Sequence, residues 1–477
     1  MKSLVRVLTF ALLVSSSFCS IANADDALQR DARQAMLKAA TYYRENVATH
    51  GGYVYHYSLD LKTRWGEGLA SKDQIWVQPP GTPTVGMAYV KAYNATGNQY
   101  YLDAAVAAAE ALVYGQITTG GWTNCIDFDP RGSRVAAYRN GRGKGRVTSS
   151  LDDGQTQSAI RCLILVNEAT KFQNQKIHDS VMDALDALLN VQFDNGAFPQ
   201  VWQGPLDTHQ PVKPARYPDH DWRTEGRIKE YWYLYTLNDN VLGYTVDTLL
   251  EAHRVYQDEK YLTAVKKAGD FLLLAQMPDP QPGWAQQYNY DMEPVWARKF
   301  EPAAMASDET QEAISTLLQI QKVTGDEKYL QPIPAALAWL NLIRLPDGNL
   351  ARYYELKTNR PLYMQRQRKT YSLTNSDANL PSHYGWKIEP RMVSLKKQYE
   401  AAKAGRTLSD EDTQQTLERR VRSVIESLDA TGRWITTANE GTRLVGQPKI
   451  FPGEKYLSSD QFSKNLELLA RYLAQEK

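Results

Sequence analysis

Tyr256-Gln257-Asp258-Glu259-Lys260-Tyr261-Leu262 is a short polar turn between two apolar-periodic segments, and it returns as Thr324-Gly325-Asp326-Glu327-Lys328-Tyr329-Leu330. Related turns stand at Thr96-Gly97-Asn98-Gln99-Tyr100-Tyr101-Leu102 and Phe172-Gln173-Asn174-Gln175-Lys176-Ile177. After each turn, apolar residues recur at helical spacing; Leu262, Val265, Gly269, Leu272 and Leu273 share one face. Further on, a glycine stands beside a large apolar residue: Gly121-Trp122, Gly196-Ala197-Phe198, Gly283-Trp284 and Gly348-Asn349-Leu350. Gly52-Tyr53 and Gly432-Arg433-Trp434 extend the series to six.

The repeated unit is therefore helix, tight turn, helix, long loop. Helices are predicted near 28–46, 82–96, 99–115, 154–171, 174–192, 239–256, 259–276, 307–324, 327–344, 388–404, 411–428 and 459–475. Twelve helices in six hairpins predict an all-α fold, an α/α toroid whose last helix packs beside its first. A helical hairpin can bury its apolar face only against its neighbours, and closing the ring removes exposed ends. An open helical solenoid is the alternative. Loops between hairpins far exceed the usual helix–helix connection, and antiparallel hairpins gather them on one face. That face would collect Trp65, Trp122, Phe198, Trp202, Trp222, Trp232, Trp284 and Trp296. Such a set suits sugar rings, although capping the core is the ordinary use of large aromatics.

Lys2 and Arg6, the apolar run Val7–Val14 and the small-residue site Ala22-Asn23-Ala24 read as an export signal over residues 1–24. Residues 25–477 show no linker or composition break and read as one domain. No later run is long and apolar enough for a membrane span. The chain holds 55 basic against 54 acidic residues. That balance argues against nucleic acid as a partner, while leaving room for a local basic patch. A soluble monomer, secreted or periplasmic, is expected. Cys125 and Cys162 could pair but form no disulfide framework, and the histidines show no metal-binding spacing.

The chemistry concentrates in two places. Trp284 to Glu309 (WAQQYNYDMEPVWARKFEPAAMASDE) is a long segment between helices, too aromatic for a solvated linker. Arg298 lies within it between Trp296 and Phe300, with Glu301 close behind; a packed loop with a structural salt bridge is the simpler reading. Three predicted helices also begin with acids, at Asp152-Asp153, Asp239 and Asp308-Glu309. Each alone reads as an N-cap or dipole partner. A toroid brings the three helix starts to one face, where converging carboxylates perturb one another or hold a hard cation, calcium or magnesium before zinc. The Gly141–Arg146 segment, Arg223, Arg227 and Lys229, and Arg366, Arg368 and Lys369 are exposed-charge candidates for meeting an anionic ligand.

Ser150-Leu151-Asp152-Asp153-Gly154-Gln155-Thr156 resembles the Ile-Asp-Asn-Gly-Ala-Thr segment of polysaccharide lyase family 10, the α/α-toroid pectate lyases. Leu237-Asn238-Asp239-Asn240 resembles that family's Phe-Asn-Asp-Asn segment. Ala297-Arg298-Lys299-Phe300-Glu301, followed by Glu309, is similar to its Ala-Arg-x-Tyr/Phe-Glu…Glu-Ser stretch. The resemblance spans roughly residues 90–390 in the family's order. It implies calcium-assisted β-elimination of polygalacturonate, an anionic polysaccharide, with Ca2+ as cofactor. It places Arg298 on the catalytic base, and Asp152 and Asp239 on acids of the calcium and substrate site. The expected site is then Arg298 and Asp152 for catalysis, and Asp152, Asp153 and Asp239 for the metal. Arg223, Trp284, Tyr288, Lys299 and Glu301 are expected to bind substrate. Asp153 departs from the family's asparagine, and Asp308 from its small residue. Two other readings stand beside this one: an inverting glycoside hydrolase using Asp152 and Asp239, and a uronate-binding protein without catalysis. A toroidal terpene cyclase would need a DxDD-type motif, which the chain lacks.

Overall fold

A computed structural model describes residues 27–225, 228–406, 408, 413–442 and 450–475; the segment read from sequence as an export signal, 1–24, and Arg227 lie outside the described residues. The helices are α1 (27–42), α2 (Thr82–Thr96), α3 (Gln99–Gly115), α4 (Gln155–Ala169), α5 (Gln175–Asn190), the short α6 (Trp222–Glu225) and α7 (Val241–Tyr256). They continue with α8 (Glu259–Ala275), α9 (Ser307–Thr324), α10 (Ile333–Leu342), α11 (Met392–Lys403), α12 (Gln414–Glu426) and α13 (Ser459–Ala474).

The recurring turn explains the hairpins. At Gly97, Gln257 and Gly325 the backbone takes the left-handed conformation that ends a helix, with φ of 69°, 54° and 70°. The next residue caps the following helix: Asn98 accepts from Tyr100 N at 3.0 Å, Asp258 from Lys260 N at 2.9 Å and Asp326 from Lys328 N at 3.0 Å. A stop and a start on adjacent residues force the chain to double back. Tyr101, Tyr261 and Tyr329 then bury their rings beside the turn.

Helices α2, α4, α7, α9 and α11 pack in succession as an inner layer, and α13 packs against α2, so the two ends of the fold meet. Tyr43 stacks on Phe462 with ring centroids 3.8 Å apart, which seals that junction. The outer helices α3, α5, α8 and α10 lie behind their inner partners, with the alanine- and leucine-rich core between the layers.

A second repeated device fixes where the inner helices begin. Tyr53 N, Trp122 N and Trp284 N donate to Thr82, Thr156 and Thr310 Oγ1 at 2.9, 3.0 and 3.0 Å, each threonine lying in the first turn of an inner helix. The indoles of Trp122, Trp284 and Trp434 donate to Leu112, Leu272 and Val424 carbonyls at the end of the preceding outer helix. The glycine before the aromatic permits this approach: a Cβ on Gly283 would stand 2.6 Å from the Trp339 ring and 2.8 Å from Thr310 Oγ1.

Two predicted helices are trimmed by proline. The segment expected at 327–344 becomes a 3-10 turn, Glu327–Leu330, followed by α10, because Pro332 and Pro334 lack the N–H a continuous helix needs. The helix expected from 388 starts at Met392, since Pro390 holds Glu389 out of helical conformation. The long loops carry short antiparallel strands that sequence reading did not predict. Trp284–Ala285, Met305–Ala306, Tyr353–Tyr354, Pro361–Gln367 and Thr370–Thr374 form one five-stranded sheet, and His56–Ser58 lies at the centre of another. Among the described residues no helix is long and apolar enough to cross a membrane.

Candidate active site

Two inner helices are entered in the same unusual way. Asp152–Gly154 and Asn238–Asn240 are 3-10 turns in which Asp153 (φ 47°) and Asp239 (φ 52°) hold left-handed backbone conformations. A non-glycine residue pays roughly 1–3 kcal/mol for this, and such strain concentrates at functional positions. The two turns lie side by side, and Asp152, Asp153 and Asp239 each bring a carboxylate oxygen within 4.8 Å of the others. The sequence expectation that acids at separate helix starts would converge holds for these three.

Side-chain amides fasten the acids. Gln200 Nε2 donates to Asp152 Oδ1 at 3.0 Å, Asn238 Nδ2 to Asp239 Oδ2 at 2.6 Å, and Gln78 Nε2 to Asp153 Oδ2 at 2.8 Å. Gln78 also reaches Glu67 Oε1 at 3.1 Å, which draws a fourth carboxylate to the margin. Burial, then the charges of Asp239 and Glu67, push the Asp153 carboxyl up to about 7 against the pull of Arg298 and Arg352. Burial and then Asp152 raise Asp239 in the same direction. Crowded acids that resist ionisation mark a place short of positive charge, and their hard oxygen donors fit a cation such as calcium.

Arg298 closes one side. Its Nη2 donates to Asp239 Oδ2 at 3.0 Å and its Nε to Glu301 Oε1 at 2.7 Å, while its own N–H meets Glu301 Oε2 at 2.9 Å. Burial works to lower its pKa, but Glu301, Asp239 and Asp152 outweigh it and hold the guanidinium firmly protonated. The side chain keeps 33 % of its surface exposed, so it is not sealed from solvent. Glu301 is 1 % exposed and accepts a further hydrogen bond from Tyr384 at 3.1 Å; it braces Arg298 rather than presenting itself to a ligand. Lys299 and Arg223 are exposed, with Arg223 stacked 4.5 Å over Trp222 and 3.4 Å from Glu355.

Trp284 and Tyr288 are placed differently from expectation. Both are fully buried, and their polar atoms serve Leu272, Ala285 and Ala275 of the backbone, so neither offers a face to a sugar. Trp122, Phe198, Trp202, Trp222 and Trp296 are likewise buried; only Trp65 and Trp232 of the expected aromatic face are partly exposed. Cys125 and Cys162 are both free and buried. Asp308 and Glu309 form a separate group, facing Arg352 at 3.9 and 3.6 Å and, for Asp308, Arg391 at 3.4 Å. Burial first, then Asp308, push Glu309 up to about 7 although Arg352 opposes this.

Sequence reading missed Glu67, Gln78, Gln200, Arg352 and Tyr384. Gln200 and Arg352 had a usable signal: each stands four residues past a repeat glycine, Gly196 and Gly348. Glu67, Gln78 and Tyr384 come from irregular loops and carry none.

No curated protein sequence matches the chain. Among solved structures, family 10 polysaccharide lyase from Cellvibrio cellulosa, in a variant complexed with trigalacturonic acid, is 22% identical over 68% of this chain and 98% of that one, at a TM-score of 0.47. Cellobiose 2-epimerase from Bacillus thermoamylovorans is 15% identical over 94% of this chain and 100% of that one, at 0.48. A glycoside hydrolase family 76 mannosidase from Bacteroides thetaiotaomicron is 12% identical over 94% and 99%, at 0.47. The family model for pectic acid lyase matches residues 116–351, the span that contains the three acids and Arg298. The chain belongs to the pectic acid lyase family and is a polysaccharide lyase.

Proposed function

We propose that this enzyme cleaves polygalacturonate, or a closely related polyuronate, by β-elimination with a calcium ion held by Asp152, Asp153 and Asp239. The observation that carries this is the meeting of three carboxylates within 4.8 Å, with Arg298 Nη2 3.0 Å from Asp239. In such a reaction the proton α to a uronate carboxylate is removed, the electron pair of its C5–H bond forms a C4–C5 double bond, and the C4–O bond breaks, the departing oxygen taking a proton from water. A bound calcium would neutralise the uronate carboxylate, making that proton more acidic, and would offset the acids that hold Arg298 protonated.

Arg298 is the group assigned to the proton. A guanidinium is a poor base, and its pairs with Asp239 and Glu301 oppose deprotonation. It serves only when Asp239 turns its charge elsewhere, while Glu301 keeps the side chain oriented. Asp152, steadied by Gln200, shares the metal and substrate edge. Lys299, exposed beside Arg298, and Arg223 are assigned to substrate carboxylates. The same reading makes the protein a secreted or periplasmic monomer after loss of residues 1–24. The hydrolase alternative is disfavoured, because an inverting pair leaves roughly 6.5–9.5 Å between carboxyl groups for water, and here the acids crowd within 4.8 Å.

The test is to incubate the protein with several polyuronates, with calcium or with chelator, and follow the ultraviolet absorbance of unsaturated uronate ends. Calcium-dependent absorbance on polygalacturonate is expected. New reducing ends without that absorbance would identify a hydrolase, and binding without either product a non-catalytic protein.

A further inference from the structure

The hairpin of Pro361–Gln367 and Thr370–Thr374 lies beyond the span shared with the family, yet it extends the sheet whose strands Trp284–Ala285 and Met305–Ala306 bracket the Arg298 segment. Its inner strand pairs with Tyr353–Tyr354, which pairs with Met305–Ala306, the strand that leads into α9. Leu362, Tyr363 and Met364 are buried and anchor its base. Residues 366–370 at its tip are exposed, with Arg366 opposite Tyr371 and Gln367 opposite Thr370, so that Arg368 and Lys369 make the turn.

A ladder of ring contacts ties this tip to Arg298. The Arg298 guanidinium carbon is 5.8 Å from the Phe300 ring, Phe300 is 5.7 Å from Tyr371, and the Arg366 guanidinium carbon is 5.7 Å from Tyr371. Phe300 is held further by His383 at 5.1 Å and Tyr384 at 4.8 Å, and Tyr371 hydroxyl meets His383 Nε2 at 3.1 Å. The tip is therefore braced beside the site rather than tethered loosely to it.

Charge decides what such a tip would meet. Arg298, Arg352, Arg391 and Arg223 are each within salt-bridge reach of a carboxylate. Among the described residues Arg366, Arg368 and Lys369 form no salt bridge, and Arg366 Nε is turned to the Arg368 carbonyl at 2.9 Å. Three uncompensated cations on one turn attract an anionic chain. The acids at the site do the opposite, so a polyuronate needs cationic holds away from the cleaved bond.

We propose that the Arg366–Lys369 tip is a second binding surface for uronate carboxylates, several sugars from the cleaved bond, which selects long unesterified polymer over short oligomers. This rests on the polyuronate reading above and adds to it the residues that set chain-length preference.

The experiment compares wild type with the triple variant Arg366→Ala, Arg368→Ala, Lys369→Ala on polygalacturonate and on the shortest oligogalacturonate that is cleaved. The ratio of the two kcat/KM values should fall about tenfold in the variant, through KM for the polymer, the scale of three exposed charge contacts. Raising salt should shrink the wild-type ratio toward the variant's, and Arg366→Lys with Arg368→Lys should keep it. Should the triple variant fold poorly, Arg368→Glu at the exposed turn must lower the ratio in the same direction. An unchanged ratio, or an equal loss on both substrates, overturns the assignment. Wild type that yields no unsaturated product from any polyuronate fails the functional reading instead. The tip is then judged by retardation in polygalacturonate gels, where equal mobility of wild type and variant would reject it.

Discussion

Arg298 Nη2 lies 3.0 Å from Asp239 Oδ2, joining the proposed base to one of the three converging acids. The contact couples two functions that sequence alone lists separately. On the proposed mechanism, an acid that shared its charge with a cation would have less to give to arginine, so filling the acidic site and freeing Arg298 would be one event.

Replacement of Arg298 tests this first. Arg298→Ala should lower kcat on polygalacturonate by at least ~10²-fold, the scale of general-base loss, with little change in KM. Arg298→Lys should recover part of the rate, since an amine is a better base but is shorter and lacks the planar fork. If the side chain only braces Asp239 and Glu301, the alanine variant will lose melting temperature and keep its turnover. Measuring kcat and Tm on one preparation separates the two.

Chelation should abolish activity and leave the helices intact. The apolar core lies between inner and outer helices, and Asp152, Asp153 and Asp239 are not among its members. Far-ultraviolet circular dichroism with and without chelator checks this; a large helical loss would make the cation structural.

Asp153 makes the metal-free protein respond to pH. With its folded pKa raised to about 7 from 3.8, the native state holds a proton that the unfolded state has already released. Stability therefore falls as pH rises through the window from about 4 to about 7. Glu309, also raised to about 7, adds to the same slope. Asp153→Asn should flatten the decline in Tm across that window. In the wild type, calcium should bind more weakly as pH drops below about 7, because protons compete for Asp153; calorimetry at several pH values would expose a flat profile if they do not.

Thr310→Val probes the lock beneath the site. Thr310 is fully buried, and its Oγ1 takes the Trp284 N–H at 3.0 Å while donating to Ala306 O at 2.7 Å. Valine keeps the shape and leaves a buried N–H unpaired, a cost of ~1–3 kcal/mol. Thermal denaturation should show a clear drop in Tm, largely restored by Thr310→Ser.

The hairpins were readable because their signal is local. Stop and start residues such as Gly325 and Asp326 act within a few bonds of one another. The three acids were readable for a related reason: each is fixed to a helix start, and the ring supplies their meeting. The stretch from Trp284 to Glu309 was harder. Its aromatics divide between core and surface according to strands of two residues, too short to show alternation. Trp284 and Tyr288 thus resembled ligand contacts while serving the backbone. Glu67 and Gln78 reach Asp153 through pairing that no local pattern announces.

The junction of α13 with α2 has a consequence for how the protein is made. Ser459 Oγ donates to the Val54 carbonyl at 2.6 Å across a sequence separation of 405 residues. At a synthesis rate of roughly 5–20 residues per second, the early segment waits on the order of a minute for that partner to leave the ribosome. For that interval α2 shows its bare apolar side to the surrounding solution, where a holding chaperone or aggregation competes for it. The ring can be finished only once α13 has been made, and its yield in a cell depends on what guards that one helix until then.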